Sequence, residues 1–485
     1  MLQKFIILLY GLVACSSIAD ARPNTIVTGH IEGFDGGIIT LNYQPYALLS
    51  DLQKHELEVD ADGTFRFDIK LSGPTRAFLV LGSTPVEETF TLTKGNGQDT
   101  SITTNTSRAE IVYLYLQPKS KQHITLTMGQ IPTTLHITGR GSADSRYLNE
   151  EDWLFNQYRD KNLKNYFAYT QYDVPQYLHY VQKREEARTA FLHQYARQHR
   201  LSKHLQHVAK WTIYSDAVMA RLLYPTMRNT YREDGFQAPA DYYNFVDDVR
   251  LDKSKQAKGI AYFYFLDYYI KQAYRLADPK EDMIDFAATK LSGRPLYEYY
   301  AFALGSNFKR KLYDKFGPSS PYRDIAEIVR RKYKSREGML DGSPAPMVPL
   351  QDTSGAHKSF ADYAGKYIYI DFWATWCGPC IQEIPHLQAL EHDYASENVV
   401  FVSISMDRER DHRKWMEFVR DRGLTGEQVW LDADYNKRIS EAWHITQIPR
   451  FVLLDDKGRI VDANAPRPSD KKVRELLNSV LSRSN

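Results

Sequence analysis

From Tyr367 to Trp373 the chain reads Tyr-Ile-Tyr-Ile-Asp-Phe-Trp, apolar at odd and even positions alike except for Asp371. A strand that is apolar on both parities has no face to give to water, so it belongs inside a sheet covered on both sides. The residues beyond it supply the cover. Residues 384–394 have helical character, 398–407 (NVVFVSISMD) read as a second buried strand, 411–423 as a helix, 427–433 as a short strand and 435–443 as another helix. An antiparallel hairpin turning at Asp456-Lys457-Gly458 and an amphipathic helix over 471–482 close the series. Strands alternating with helices predict a mostly parallel α/β sheet with helices on both faces.

A chain of 485 residues is too long for one such core, so further domains are expected upstream. Residues 25–140 repeat short alternating runs rich in β-branched and aromatic residues, with Asp62-Gly63 as a hairpin signal, and predict an antiparallel β-sandwich or barrel. Residues 143–334 change to helix formers and hold most of the 34 tyrosines, with apolar positions recurring every three or four residues, which predicts an α-helical domain. Its tyrosine stripes are read as aromatic core with hydroxyls reaching backbone or water. His193, His199, His204 and His207 lie close in sequence but carry no metal-ligand spacing, so no metal site is assigned. Residues 335–357, rich in Gly, Pro and Ser, read as a linker into a last domain over 345–485. The whole is a multidomain α+β chain.

Residues 1–21 pair Lys4 with a short apolar run, Phe5 to Ala14, followed by small residues, the layout of a signal peptide and too short to span a bilayer. Two processing sites compete: Ala19-Asp20-Ala21 fits an A-x-A cleavage site, whereas Leu12-Val13-Ala14-Cys15 resembles a lipoprotein lipobox, which the reading favours and which would lipidate Cys15. Export to the cell envelope, facing the periplasm, is therefore expected, with membrane contact only through such an anchor. A formal net charge of +2 gives no electrostatic argument for nucleic acid.

Of the 3 cysteines, processing leaves Cys377 and Cys380. A four-residue loop removes little chain entropy, so stabilisation explains the pair poorly and chemistry explains it better. Zinc would want two further ligands, and no second Cys pair exists. A cysteine placed where a strand turns into a helix is favoured as thiolate by the helix N-terminus, and one a turn later is placed to resolve a mixed disulfide. Gly378 and Pro379 tighten the turn and start the helix without wasting a donor.

The segment Asp371-Phe372-Trp373-Ala374-Thr375-Trp376-Cys377-Gly378-Pro379-Cys380, with Pro385 and the later Ile448-Pro449, resembles the active-site region of thioredoxins, and residues 345–482 resemble the exported thiol–disulfide oxidoreductases of the TlpA and ResA type. The β-rich region, through TGHIEGF, DGTFRF, YLQPKSKQHITL and GRGSADSRYL, resembles a domain of unknown function found ahead of such domains. The resemblance implies a thioredoxin-like fold, no cofactor beyond the redox disulfide Cys377–Cys380, and disulfide-bonded or dithiol proteins as substrates. It implies a membrane protein as electron donor and, from the Gly-Pro dipeptide, a reductant. Asp371 corresponds to the family's buried acid and Glu383 to the glutamate of the TlpA and ResA group; either could be the working base. Ile448 and Pro449 fit the cis-proline loop that pairs with a substrate strand, and Trp376 would cover the site. Two alternatives stand beside this: a surface-binding scaffold lipoprotein in which the redox domain is secondary, and a thiol peroxidase. The peroxidase signature is broken, because Ala374 rather than Thr375 lies three residues before Cys377.

Overall fold

The structure, a computed structural model, describes residues 23–482 apart from 46–47, 94, 96, 156–167, 233, 252–258, 306–307, 348, 432–438 and 446. Cys15 and Ala19-Asp20-Ala21 lie outside the described residues, as does the start of the helix read over 435–443. Among the described residues no helix is long and apolar enough to cross a membrane. The chain divides into two compact units, residues 1–302 and 303–485, with the boundary inside the stretch read as one helical region.

The first unit begins with eight strands: β1 (Thr25–Glu32), β2 (Gly37–Pro45), β3 (Gln53–Val59), β4 (Thr64–Ile69), β5 (Thr75–Thr93), β6 (Asp99–Leu116), β7 (Lys121–Thr127) and β8 (His136–Arg140). They form two four-stranded sheets, β4-β1-β7-β8 and β3-β2-β5-β6. Val27, Phe65, Phe67 and Ile124 of one sheet and Ile39, Leu41, Leu79 and Val112 of the other share a single core, so the sheets form a sandwich. The barrel alternative is excluded, since neither sheet closes on itself among the described residues, and the sandwich is not purely antiparallel. Strands β1 and β7 run parallel, Ile26 beside Lys121 through Glu32 beside Thr127. Alternation within a strand says which side chains point inward but nothing about the direction of a partner some 90 residues away. The Asp62-Gly63 turn forms, with Gly63 at φ 69°, yet it passes the chain from one sheet to the other instead of closing a hairpin. Strand β5 continues past Val80 to Thr93, where among the described residues it pairs with β6 alone, so Pro85 lies on a stretch with one ladder.

Helices α1 (Ser142–Phe155), α2 (Val174–Gln198), α3 (Lys203–Arg232) and α4 (Ile260–Ala277) complete the first unit with shorter turns. Tyrosines fill their contacts as expected: Tyr224 and Tyr242 are buried and donate to the carbonyls of Tyr172 (2.9 Å) and Arg221 (2.7 Å). One buried cation ties three of the helices. Arg188 of α2 reaches Glu151 of α1 at 2.5 Å and Asp216 of α3 at 2.9 Å.

In the second unit, α5 (Arg323–Tyr333) runs into a 3-10 helix, Lys334–Met339. There follow β9 (Leu350–Asp352), β10 (His357–Lys358), β11 (Tyr367–Trp373), α6 (Gly378–Asp393), β12 (Val399–Ser405), α7 (His412–Asp421), β13 (Glu427–Trp430), β14 (Arg450–Leu454), β15 (Ile460–Asp462) and α8 (Lys472–Leu481). Residues 335–357, read as a linker, thus carry part of a helix and a strand, and Met339, Ala345 and Leu350 enter the core. The sheet runs β10-β9-β13-β12-β11-β14-β15. Strand β11 lies in its interior, parallel to β12 and antiparallel to β14, with every residue buried. Its alternation sorts the two faces. Ile368, Ile370 and Phe372 pack with Trp443 and Met339, while Tyr369 packs with Leu387 of α6 and Val473 and Leu477 of α8.

Candidate active site

At Trp373 the chain leaves β11, and the next residues are fixed before the first cysteine is reached. The Trp373 carbonyl accepts from Met406 N (2.7 Å), and Thr375 donates from both N (2.9 Å) and Oγ1 (2.8 Å) to the Asp407 carboxylate. Asp407 is fully buried at the end of β12 and is held in turn by the Ser405 hydroxyl (2.9 Å). Cys377 N then donates to the Ala374 carbonyl (3.0 Å), closing a tight turn. Cys377 becomes the N-cap of α6, extended at φ −87°, ψ 95°, and its Sγ accepts from Cys380 N at 3.2 Å. Pro379 occupies the first helical turn, where its missing N–H costs nothing.

Cys377 and Cys380 are joined as a disulfide, their Cα atoms 5.2 Å apart. Both sulfurs sit in a cluster with Trp373, Trp415 and Trp430, against which Ile448 packs. The Ile448-Pro449 bond is cis, and Ile448 packs the loop before β14 against the cluster that holds the two cysteines. Trp373 is core, its ring 5.5 Å from that of Phe418. Trp376, by contrast, is 62% exposed, next in the chain to Cys377.

Asp371 points to the same side of β11 as Tyr369 and Trp373, between the cluster under α6 and the cysteines. Burial pushes its carboxyl well above the usual carboxylate range, and the neighbouring charges of Glu383 and Glu391 push it further. Its Oδ1 has no hydrogen-bond partner among the described residues. Glu383 is buried too, one helical turn beyond Cys380, so it is not the solvent-facing residue its helix position permits. It accepts from Ser469 N (3.0 Å) and Ser469 Oγ (2.9 Å), with Arg467 3.7 Å away. The two acids are thus unequal: Glu383 is fully engaged, whereas Asp371 keeps an oxygen open.

Sequence reasoning missed Asp407 and Ser469, although Asp407 closes the run NVVFVSISMD, where a carboxylate ending a buried strand was a signal. Of the histidines weighed as ligands, His204 meets the hydroxyl of Tyr115 and His199 lies against the ring of Tyr195. Among the described residues no group of three or more His, Cys, Asp or Glu is placed to hold a metal ion.

Residues 340–480 match the family model described as Redoxin. Over 148 residues, 30% of this chain and 82% of the relative, the sequence is 30% identical to the thioredoxin-like protein YneN of Bacillus subtilis (strain 168). Over 153 residues, 32% of this chain and 83% of the relative, it is 24% identical to the thiol-disulfide oxidoreductase ResA of the same organism. Among solved structures, it resembles the thioredoxin domain of a thiol-disulfide oxidoreductase from Bacteroides vulgatus, 28% identical, covering 29% of this chain and 97% of that one with a TM-score of 0.27.

Proposed function

The chain belongs to the thioredoxin-like thiol–disulfide oxidoreductases, and from that premise we propose that it reduces protein disulfides in the cell envelope through Cys377 and Cys380. The observation that carries this reading is the pairing of Cys377 at the N-terminus of α6 with the cis Ile448-Pro449 loop around one disulfide. In the reduced protein the Cys377 thiolate, favoured by the helix N-terminus, attacks one sulfur of the substrate disulfide. A mixed disulfide forms and the first substrate thiolate leaves. The Cys380 thiol then gives its proton to Asp371 and attacks Cys377 Sγ, releasing the second substrate thiolate and closing the Cys377–Cys380 bond. Two electrons pass to the substrate, and the proton rests on Asp371. The structure holds the disulfide, and burial around Asp371, which favours its neutral form, supports this reading.

Ile448 supplies backbone for a substrate strand and Trp376 an apolar contact beside it. The Gly378-Pro379 dipeptide supports a reductant, which in an oxidising compartment needs a membrane protein to return electrons. The apolar leader supports the envelope location. Equilibration of the full mature chain with defined thiol buffers tests the direction: a potential near thioredoxin's, about −270 mV, is expected, and one near −120 mV would make the protein an oxidant. Failure of the pair to cycle would remove the reading altogether.

A further inference from the structure

Between β15 and α8 the chain reads Ala-Pro-Arg-Pro-Ser over Ala465–Ser469, and three elements anchor it. Ala465 N donates to the Phe451 carbonyl of β14 (3.0 Å), and the Tyr369 hydroxyl of β11 donates to the Pro466 carbonyl (2.6 Å). Ser469 donates from N (3.0 Å) and from Oγ (2.9 Å) to the Glu383 carboxylate of α6. Pro466 and Pro468 fix φ on either side of Arg467, so little freedom remains between the anchors.

All three anchors surround Asp371. Strand register sets Phe451 opposite it, and Tyr369 lies two residues before it on the same face of β11. Helix α6 covers that face in the reverse order: Leu387 shares a cluster with Tyr369, and Cys380 shares one with Trp373. Glu383 lies between Cys380 and Leu387 on one buried stripe of the helix, as Asp371 lies between Trp373 and Tyr369 on the strand, so the two acids face each other. The other groups facing Asp371 are the titratable Tyr369, Cys380 and Glu391, with Ser403 of β12, Phe451 of β14 and, from α8, Val473 and Leu477. Arg467 stands beyond Glu383, at 3.7 Å.

Ser469 treats the two acids differently. Both oxygens of Glu383 accept, one from the backbone N–H and one from the hydroxyl, a pattern that suits a carboxylate, whereas a carboxylic acid has an O–H of its own to place. Asp371 Oδ1 has no partner among the described residues. Two facing acids in a buried setting do not both hold a charge freely, so fixing one as the anion assigns the proton to the other.

We propose that Ser469 is a positioning residue for closure of the Cys377–Cys380 disulfide: its two hydrogen bonds hold Glu383 as the anion, so that Asp371 takes the proton from Cys380. The proton passes from Cys380 Sγ to an Asp371 oxygen as the bond to Cys377 Sγ forms and the substrate thiolate leaves. The assignment rests on the oxidoreductase reading and decides between two acids that the sequence leaves open.

Closure would be followed against pH by rapid quench of the mixed disulfide, in the full mature chain and in Ser469→Ala, Ser469→Thr and Glu383→Gln. Closure quickens as Asp371 loses its proton, and a negative charge on Glu383 delays that loss. The midpoint of the rise is therefore expected to move to lower pH, by about one pH unit in Glu383→Gln and by a smaller step in Ser469→Ala. Ser469→Thr keeps the hydroxyl and should restore the original profile. A midpoint that Ser469→Ala leaves in place, or that Ser469→Thr moves as far as Ser469→Ala does, would overturn the role. Carboxyl-carbon NMR of the unaltered chain decides the matter even if a variant fails to fold: as pH falls Asp371 should take its proton before Glu383, and the reverse order would overturn the proposal. Failure of the unaltered chain to close its disulfide would instead remove the oxidoreductase reading, and the proposal with it.

Discussion

Two of the buried ionisable groups among the described residues are treated in opposite ways. In the first unit Arg188 lies between Glu151 and Asp216, at 2.5 and 2.9 Å, so three helices meet on one neutralised network. In the second unit Asp371 is buried in the central strand, pushed toward its protonated form by burial and two neighbouring acids, and one of its oxygens is unbonded among the described residues. The first arrangement is complete and holds structure. The second leaves a carboxyl oxygen without a partner in a setting that favours the protonated acid, the kind of perturbed group that marks a candidate functional site.

The greatest loss should come from the complete network. Arg188→Ala leaves two carboxylates with no cation and should cost about 3–5 kcal/mol in the local stability of α2, read from amide hydrogen exchange of the full chain. A loss below about 1 kcal/mol would mean that the network holds little, and the contrast would fail. Next in size, Asp371→Asn should slow closure of the Cys377–Cys380 disulfide by roughly a hundredfold while leaving the initial attack by Cys377 nearly unchanged, measured by rapid quench of the mixed disulfide. Equal slowing of both steps would point to a structural role.

A smaller difference between the two regions is read through pH. A carboxyl whose folded pKa is raised keeps its proton after the unfolded chain has released its own near pH 4, so the folded state loses stability as pH rises above that value. Exchange of β11 amides should therefore quicken between about pH 4 and 7, by up to about 1.4 kcal/mol for each tenfold gain in proton affinity, and Asp371→Asn should flatten the dependence and stabilise the strand at neutral pH.

Much of this was legible before any coordinates. Apolar residues at both parities of 367–373 placed the central strand, and the cysteine spacing with Ile448-Pro449 placed the site, because these are local patterns. What was hidden lies across long separations. The bond from Ser469 to Glu383 spans 86 residues and that from Thr375 to Asp407 spans 32, and neither has a signature beyond an ordinary polar residue. The direction of β1 against β7, and the passage of Asp62-Gly63 between sheets, depend on packing of whole layers, which alternation along one strand does not encode.

Asp407 ties the cysteine turn to the sheet. Because its carboxylate binds the turn ahead of Cys377 to the end of β12, the geometry of attack is set when the domain folds and is not reassembled at each encounter. The site is preorganised, and the entropy of aligning its nucleophile has been spent once, in advance of every turnover.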